Sequence, residues 1–200
     1  MTRTLTSGGT GSARADRRRR RRFPVATVAL VVPVTGTWVA QLAHPALLEV
    51  LRRDPSALAA GQWWRVVTPL VVQDPPWQWA VLAPATLVLG TLVERFAGSR
   101  AVVAGFLCAG LVGEAAGYAW SPYGAGSSVG AAGLLGILVA WSLSAAARRA
   151  LPPVLVPRVR FFAVATLAAA AVSVALRDVH GLPLFTGALL GVALTRRRTG

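Results

Sequence analysis

Apolar residues run almost unbroken over residues 23–43, and about 20 of them cross ~30 Å of hydrocarbon at ~1.5 Å per helical residue. Five further stretches follow at residues 77–93, 101–120, 126–147, 161–176 and roughly 180–194. The pattern predicts an all-α membrane protein with six transmembrane helices. Ahead of the first span stand 22 residues of mainly Ser, Thr, Gly and Arg, ending in an unbroken arginine run at 17–22. Such a segment is expected to be disordered. The expected organisation is a tail at 1–22, a six-span domain at 23–195 and a short tail at 196–200. An arginine run before an apolar stretch also has the outline of a signal peptide. No A-x-A site follows and more spans come after, so an uncleaved anchor is expected. The loop at 43–73 is itself half apolar, with Leu47, Leu48, Val50 and Leu51 beside Glu49, Arg52 and Arg53. That mixture suits a short helix at the outer interface.

Composition sharpens this picture. At 54% apolar and 14% charged, the chain is too apolar for an ordinary soluble domain. All 21 basic residues are arginine, and against 7 acids they give a net charge of +14, which in a soluble protein would point to nucleic acid. Here they read as topology determinants. With the N-terminus inside, 17 of the 21 fall in cytoplasmic segments, so both termini are expected in the cytoplasm of a multi-pass protein of a bacterial-type cell membrane. Trp38, Trp63, Trp64, Trp77, Trp79 and Trp120 then lie near the outer interface. The implied partners are the lipid bilayer, with anionic inner-leaflet lipid facing the basic tail, and not nucleic acid. The lone Cys108 gives no disulfide framework. His44 and His180 have no ligand partners at usable spacing, so neither a metal nor a cofactor is expected.

Few polar groups sit at membrane depth: Ser127 and Ser128 at the start of span four, Glu114 in span three, and Asp178 and His180 at the start of span six. Buried polar groups in lipid are expensive and therefore candidates for function. Gly126, Gly130, Gly133 and Gly136 in span four and Gly187 and Gly191 in span six allow close backbone approach, which makes these helices neighbours. Ser128 and His180 would then share a depth as nucleophile and general base. The plain alternatives are a packing serine, an interfacial histidine and a structural Glu114, paired with Arg65 or capped by neighbouring polar groups. Asp178 falls on a different helical face from His180 and is not assigned to the site. Ser127 would point about 100° from Ser128.

Four local patterns resemble the rhomboid family of intramembrane serine proteases, and the resemblance covers nearly all of residues 23–195. GQWWRVVTPL at 61–70 is similar to the family's W-R segment, through Trp64 and Arg65. GTLVERFAGSR at 90–100 is similar to its G-x-x-x-E…G…R span ending, through Gly90, Glu94, Gly98 and Arg100. GSSVGAAGLLG at 126–136 is similar to G-x-S-G…G-L-x-G, and HGLPLFTGALLG at 180–191 to H-x-x-G-x-x-x-G. The resemblance implies a six-helix bundle with an outward-facing wet cavity. It places the nucleophile on Ser128 and the base on His180, with no acid third member, and implies single-span transmembrane helices as substrates.

Several positions depart from the family pattern. Where the family offers His and Asn side chains to the oxyanion, the chain has Gln78 and Leu82, so Gln78 is the oxyanion candidate. Losing one such donor typically costs ~10²- to 10³-fold, about 3 to 4 kcal/mol. Val129, Ala132 and Pro183 also replace family residues. The expected function is a rhomboid-type endopeptidase. The alternative is an inactive pseudoprotease that binds transmembrane helices, and a small transporter is disfavoured because no inverted repeat is visible.

Overall fold

Proline, glycine and serine set where the apolar stretches become helices. The computed structural model describes residues 23–196; the tail expected at 1–22, and all of the 196–200 tail except Arg196, lie outside the described residues. Among the described residues there are nine α-helices and no β-strand. Helix α1 (Val25–Ala43) opens after Pro24. The following loop carries α2 (Ala46–Leu51), on the residues expected to form an interfacial helix, and α3 (Pro55–Ala59). Asp54 caps α3 by accepting from the Ser56 and Ala57 N–H groups, with Pro55 in the first turn, where its missing donor costs nothing. Short 3₁₀ turns at Trp63–Val66, Thr68–Leu70 and Pro76–Gln78 lead into α4 (Trp79–Ala97).

Gly98, at φ 90°, reverses the chain between α4 and α5 (Ser99–Trp120) while its N–H returns to the Glu94 carbonyl at 2.9 Å. An L side chain is unfavourable in that backbone region. Helix α6 (Ser128–Leu143) is shorter than the apolar stretch that predicts it, which continues to residue 147. The break comes at Ser144, whose extended backbone ends α6 and whose hydroxyl accepts the Ala147 N–H at 3.2 Å, opening α7 (Ala145–Ala150). Helices α8 (Val156–Ala175) and α9 (Gly181–Arg196) complete the order. Four pieces are long and apolar enough to cross a membrane: α1, residues Pro76–Ala97, α5 and α8. Helices α6 and α9 are apolar but have 16 residues each, about 24 Å of rise.

Helix α6 is the axis of the bundle. It is buried around most of its circumference, from Val129 to Ala140, as a helix apolar on every face must be when neighbours surround it. On one side Gly130 faces the Phe106 ring of α5, so this glycine packs toward α5 and not toward the sixth apolar stretch. On another, Gly136 faces the backbone of Leu184, Gly187 and Ala188 of α9, and Gly187 faces the backbone of Gly133, whose own open side lies against Ala109 and Gly105 of α5. Gly191 lies against Ala140 and Ile137 in the same seam. Without side chains there, the two helices approach more closely than any Cβ permits.

Helix α1 docks on α4 at both ends. The Glu94 carboxylate accepts the Ala26 and Thr27 N–H groups at 3.0 Å each, the Thr27 hydroxyl at 2.8 Å and the Ser99 hydroxyl at 2.7 Å. A negative charge on the otherwise unsatisfied first turn of α1 is favourable both as a hydrogen-bond partner and for the helix dipole. At the far end the Trp38 and Trp79 rings stack 4.1 Å apart. In contrast, α8 buries only Ala163 and Ala170, and Phe161, Phe162, Val164 and Val172 stand exposed along it.

Candidate active site

Ser128 is the first residue of α6 and His180 immediately precedes α9, so the glycine seam brings their side chains to a common end. Ser128 Oγ lies 2.9 Å from His180 Nε2. Both groups are partly buried and line a cavity of about 300 Å³ together with Gln78, Asp74, Arg53 and Glu114. The segment leading into Ser128 is held in place from outside. Gly126 donates its N–H to the Pro69 carbonyl at 2.8 Å, and it has φ 153°. A Cβ on it would come within 2.8 Å of Gln78 Oε1 and 3.4 Å of Ser128 Oγ. Glycine at 126 therefore keeps open the space between Gln78 and the serine.

Ser127 is separated from this arrangement. Its side chain is buried and accepts from Gln73 Nε2 at 3.2 Å. Gln73 is in turn held by Gln41, which exchanges hydrogen bonds of 2.9 and 3.0 Å with the Gln73 backbone. Gln78 Oε1 is buried and accepts no hydrogen bond from the described residues. Leu82, one turn along α4, is absent from the cavity lining.

The floor of the cavity is ionic. Arg53 Nη1 pairs with Glu114 Oε2 at 2.7 Å, with side-chain exposures of 6% and 2%. This corrects the expected Glu114–Arg65 pair. Arg65 instead donates to the Glu49 and Arg52 carbonyls at 3.0 and 2.8 Å and to Gln62 Oε1 at 2.8 Å. Two arginines 12 residues apart in one loop are equivalent by sequence distance, and the fold chooses between them at Gly117, where the absence of a side chain makes room for the Arg53 guanidinium. Arg53 also donates through Nε to the Ser121 carbonyl at 3.3 Å and through its backbone to the Gly124 carbonyl at 2.9 Å. It thereby fixes the loop that ends at Ser128. Removing one partner of a buried pair leaves an uncompensated charge, so Glu114→Ala is expected to lower stability by about 3–5 kcal/mol. Thermal unfolding of the detergent-solubilised protein measures this; Glu114→Gln, which keeps an acceptor for Arg53, should lose less.

Asp178 also lies differently from its expected place on another helical face. Residues 178–180 precede α9 and form a turn, not part of the helix. There Asp178 Oδ1 lies 2.9 Å from His180 Nδ1, accepts the His180 N–H at 3.0 Å and accepts the Ser173 hydroxyl at 2.6 Å. Burial raises the Asp178 carboxyl, but the bonds from Ser173 and from the His180 backbone and ring outweigh it and leave the group below its ordinary value. Its contribution to stability is in full force above its unfolded value and is lost as pH falls through the lower folded one. With the side chain 49% exposed, water screens much of that contribution. Among the described residues, no three His, Cys, Asp or Glu side chains group as a metal site.

A serine hydroxyl within hydrogen-bond reach of an imidazole, at the start of a buried glycine-lined helix, is the arrangement the rhomboid resemblance implies. The family model for the rhomboid domain matches residues 60–197. The chain belongs to the rhomboid family. Over 93 residues, 46% of the chain, it is 38% identical to the rhomboid protease GluP of Bacillus subtilis (strain 168). The matched stretch covers 18% of that relative's length. No solved structure matches the chain. Family and apolar helices together make this rhomboid a multi-pass membrane protein. The matched region contains Gln78, Glu94, Ser128, Asp178 and His180, while α1 lies wholly before it.

Proposed function

We propose that this rhomboid is an intramembrane serine endopeptidase that cleaves single-span transmembrane substrates with Ser128 as nucleophile and His180 as general base. The observation that carries the proposal is the 2.9 Å contact between Ser128 Oγ and His180 Nε2 at the wall of a polar cavity. As Oγ attacks a substrate carbonyl carbon, its proton passes to Nε2, and the carbonyl π pair moves onto oxygen. Collapse of that oxyanion expels the amine, which takes the proton from the imidazolium and leaves an acyl-serine. A water, deprotonated by the same Nε2, then attacks the acyl carbon. Its proton goes to the departing Ser128 Oγ and the substrate's new carboxyl terminus is freed.

Oxyanion stabilisation has two candidate donors. The first N–H groups of a helix lack intrahelical partners, and Ser128 opens α6, so its own N–H is one. Gln78 is the other: with its amide turned to present Nε2–H, it faces the space that Gly126 keeps open beside Ser128. Leu82 donates nothing, so this site works with one fewer side-chain donor than the family pattern, a difference in turnover of ~10²- to 10³-fold.

The same reading takes residues 23–195 as a six-span domain with both termini cytoplasmic and with tails on either side. Helices α6 and α9 are its two short spans. At about 24 Å of rise against ~30 Å of hydrocarbon, a helix starting at Ser128 begins below the outer surface, where water enters only through the cavity. The arginine asymmetry supports the orientation.

A reporter carrying one transmembrane helix, coexpressed with the protein in a bacterial membrane, tests the activity. Cleavage by wild type that disappears in Ser128→Ala is the expected result. Absence of product from wild type, or equal product from both, contradicts the proposal.

A further inference from the structure

We propose that Asp178 is a positioning residue for His180, its carboxylate holding the imidazole in the tautomer that has the proton on Nδ1 and the lone pair on Nε2. The inference rests on the proposed role of His180 as the base and concerns what orients it. An ionised carboxylate only accepts hydrogen bonds. With Asp178 Oδ1 2.9 Å from Nδ1, that nitrogen must carry the proton, and Nε2, 2.9 Å from Ser128 Oγ, is left to accept from the hydroxyl. The opposite tautomer would set a bare Nδ1 against a negative oxygen and aim an N–H at the serine, where no proton can be taken up.

The carboxylate is itself held. Two residues beyond the end of α8, Arg177 has φ 57°, a left-handed conformation that residues with a side chain rarely adopt. The Arg177 and Asp178 N–H groups return to the Val174 and Ser173 carbonyls at 3.0 and 2.8 Å, a helix-ending pair of bonds. This turn folds Asp178 back over α8, where the Ser173 hydroxyl reaches Oδ1 at 2.6 Å, and the His180 N–H reaches the same oxygen. A chain of contacts thus runs from Ser173 on α8 through Asp178 and His180 to Ser128 on α6. Sequence spacing hides it, because two residues apart on a helix would point to opposite faces.

The side chains of His180 and Asp178 are 45% and 49% exposed, so water weakens the charge–charge attraction. Orientation and tautomer are what remain, and the expected loss is smaller than the roughly 10⁴-fold that follows when a buried acid behind a catalytic histidine becomes an amide.

Asp178→Asn separates positioning from a purely structural role. All three donors meet the one oxygen Oδ1; an amide at this position is a weaker acceptor through its carbonyl and a donor when turned, so Nδ1 is no longer held in its protonated form. The chain has two histidines, so ring ¹⁵N resonances of labelled protein, with His44→Gln used for assignment, report the His180 tautomer directly. At mildly alkaline pH, wild type should show Nδ1 protonated and Nε2 bare. Asp178→Asn should shift the ring toward the other tautomer and lower kcat about 10- to 100-fold, with KM unchanged and the thermal midpoint only slightly lowered. Asp178→Glu, keeping the charge, should restore part of kcat. An unchanged tautomer with unchanged kcat in Asp178→Asn, in an enzyme that Ser128→Ala inactivates, overturns this inference and leaves the protease reading standing. If wild type cleaves nothing but the ring signals still change, the positioning stands and the protease reading falls.

Discussion

His180→Ala is expected to reduce turnover of a transmembrane reporter by about 10⁴-fold or more, with little change in KM or thermal midpoint. A serine hydroxyl is a weak nucleophile unless a base takes its proton as the new bond forms, and His180 Nε2 is the ring nitrogen at hydrogen-bonding distance from Ser128 Oγ. Because His180 precedes α9 and is partly exposed, removing its ring leaves neither a core cavity nor a stranded buried charge. The loss should therefore fall on kcat. Ser127→Ala provides the contrast. Its hydroxyl bonds Gln73 away from the imidazole, so any effect should appear in unfolding and not in the chemical step. Steady-state kinetics in detergent micelles, paired with thermal unfolding of each variant, separates the two.

Gly187→Leu should be the most damaging single change to the fold, and it should remove activity as well. A Cβ at 187 would collide with the backbone of Gly133, which cannot yield as a flexible side chain can. Overpacking commonly costs about 1–3 kcal/mol and more where backbone must move. Forcing α6 and α9 apart also separates Ser128, which opens α6, from His180, which immediately precedes α9, and a misplacement of about 1 Å is enough to cost ~10²-fold in rate. Even Gly187→Ala should be clearly destabilising. Gly36→Ala is the matched control: it lies on α1 with nothing within 4 Å of its Cβ, and alanine is the better helix former by roughly 1 kcal/mol. It should raise the thermal midpoint or leave it unchanged, and leave cleavage intact.

The apolar stretches locate the helices well because hydropathy and length are local properties. The stretch at 161–176 gives α8, and residues 23–43 give α1, with ends shifted by a few residues. The end of α6 is the clearest difference. Ser144 carries an N-cap signal ahead of the arginines at 148 and 149, and the capping preference overrides continued hydropathy there. Glycine spacing marks α6 and α9 as helices able to approach closely, but it does not say which glycine meets which helix, and Gly130 proves to face Phe106.

Polar partners far apart in the chain are set by packing and not by local pattern. Arg53 and Arg65 lie in one loop, and the space at Gly117, which decides between them for Glu114, exists only after α5 has packed. Gln73 and Gln41 are unremarkable in sequence, yet fold into the bonds behind Ser127. Asp178 is the instructive case. Its place beside His180 depends on residues 178–180 forming a turn, and the sequence pattern treats His180 as the start of a helix. The short D-x-H spacing carried the signal, since a carboxylate at the start of a helix often accepts from a backbone N–H two residues on.

The account rests on Ser128 being the one serine activated by His180, and covalent labelling reads this directly. Purified protein treated with a fluorophosphonate, digested and mapped by mass spectrometry should carry the phosphonyl group on Ser128. The label should be absent in Ser128→Ala, strongly reduced in His180→Ala and retained in Ser127→Ala. Modification at Ser127, or labelling of equal intensity in wild type and Ser128→Ala, would contradict the account.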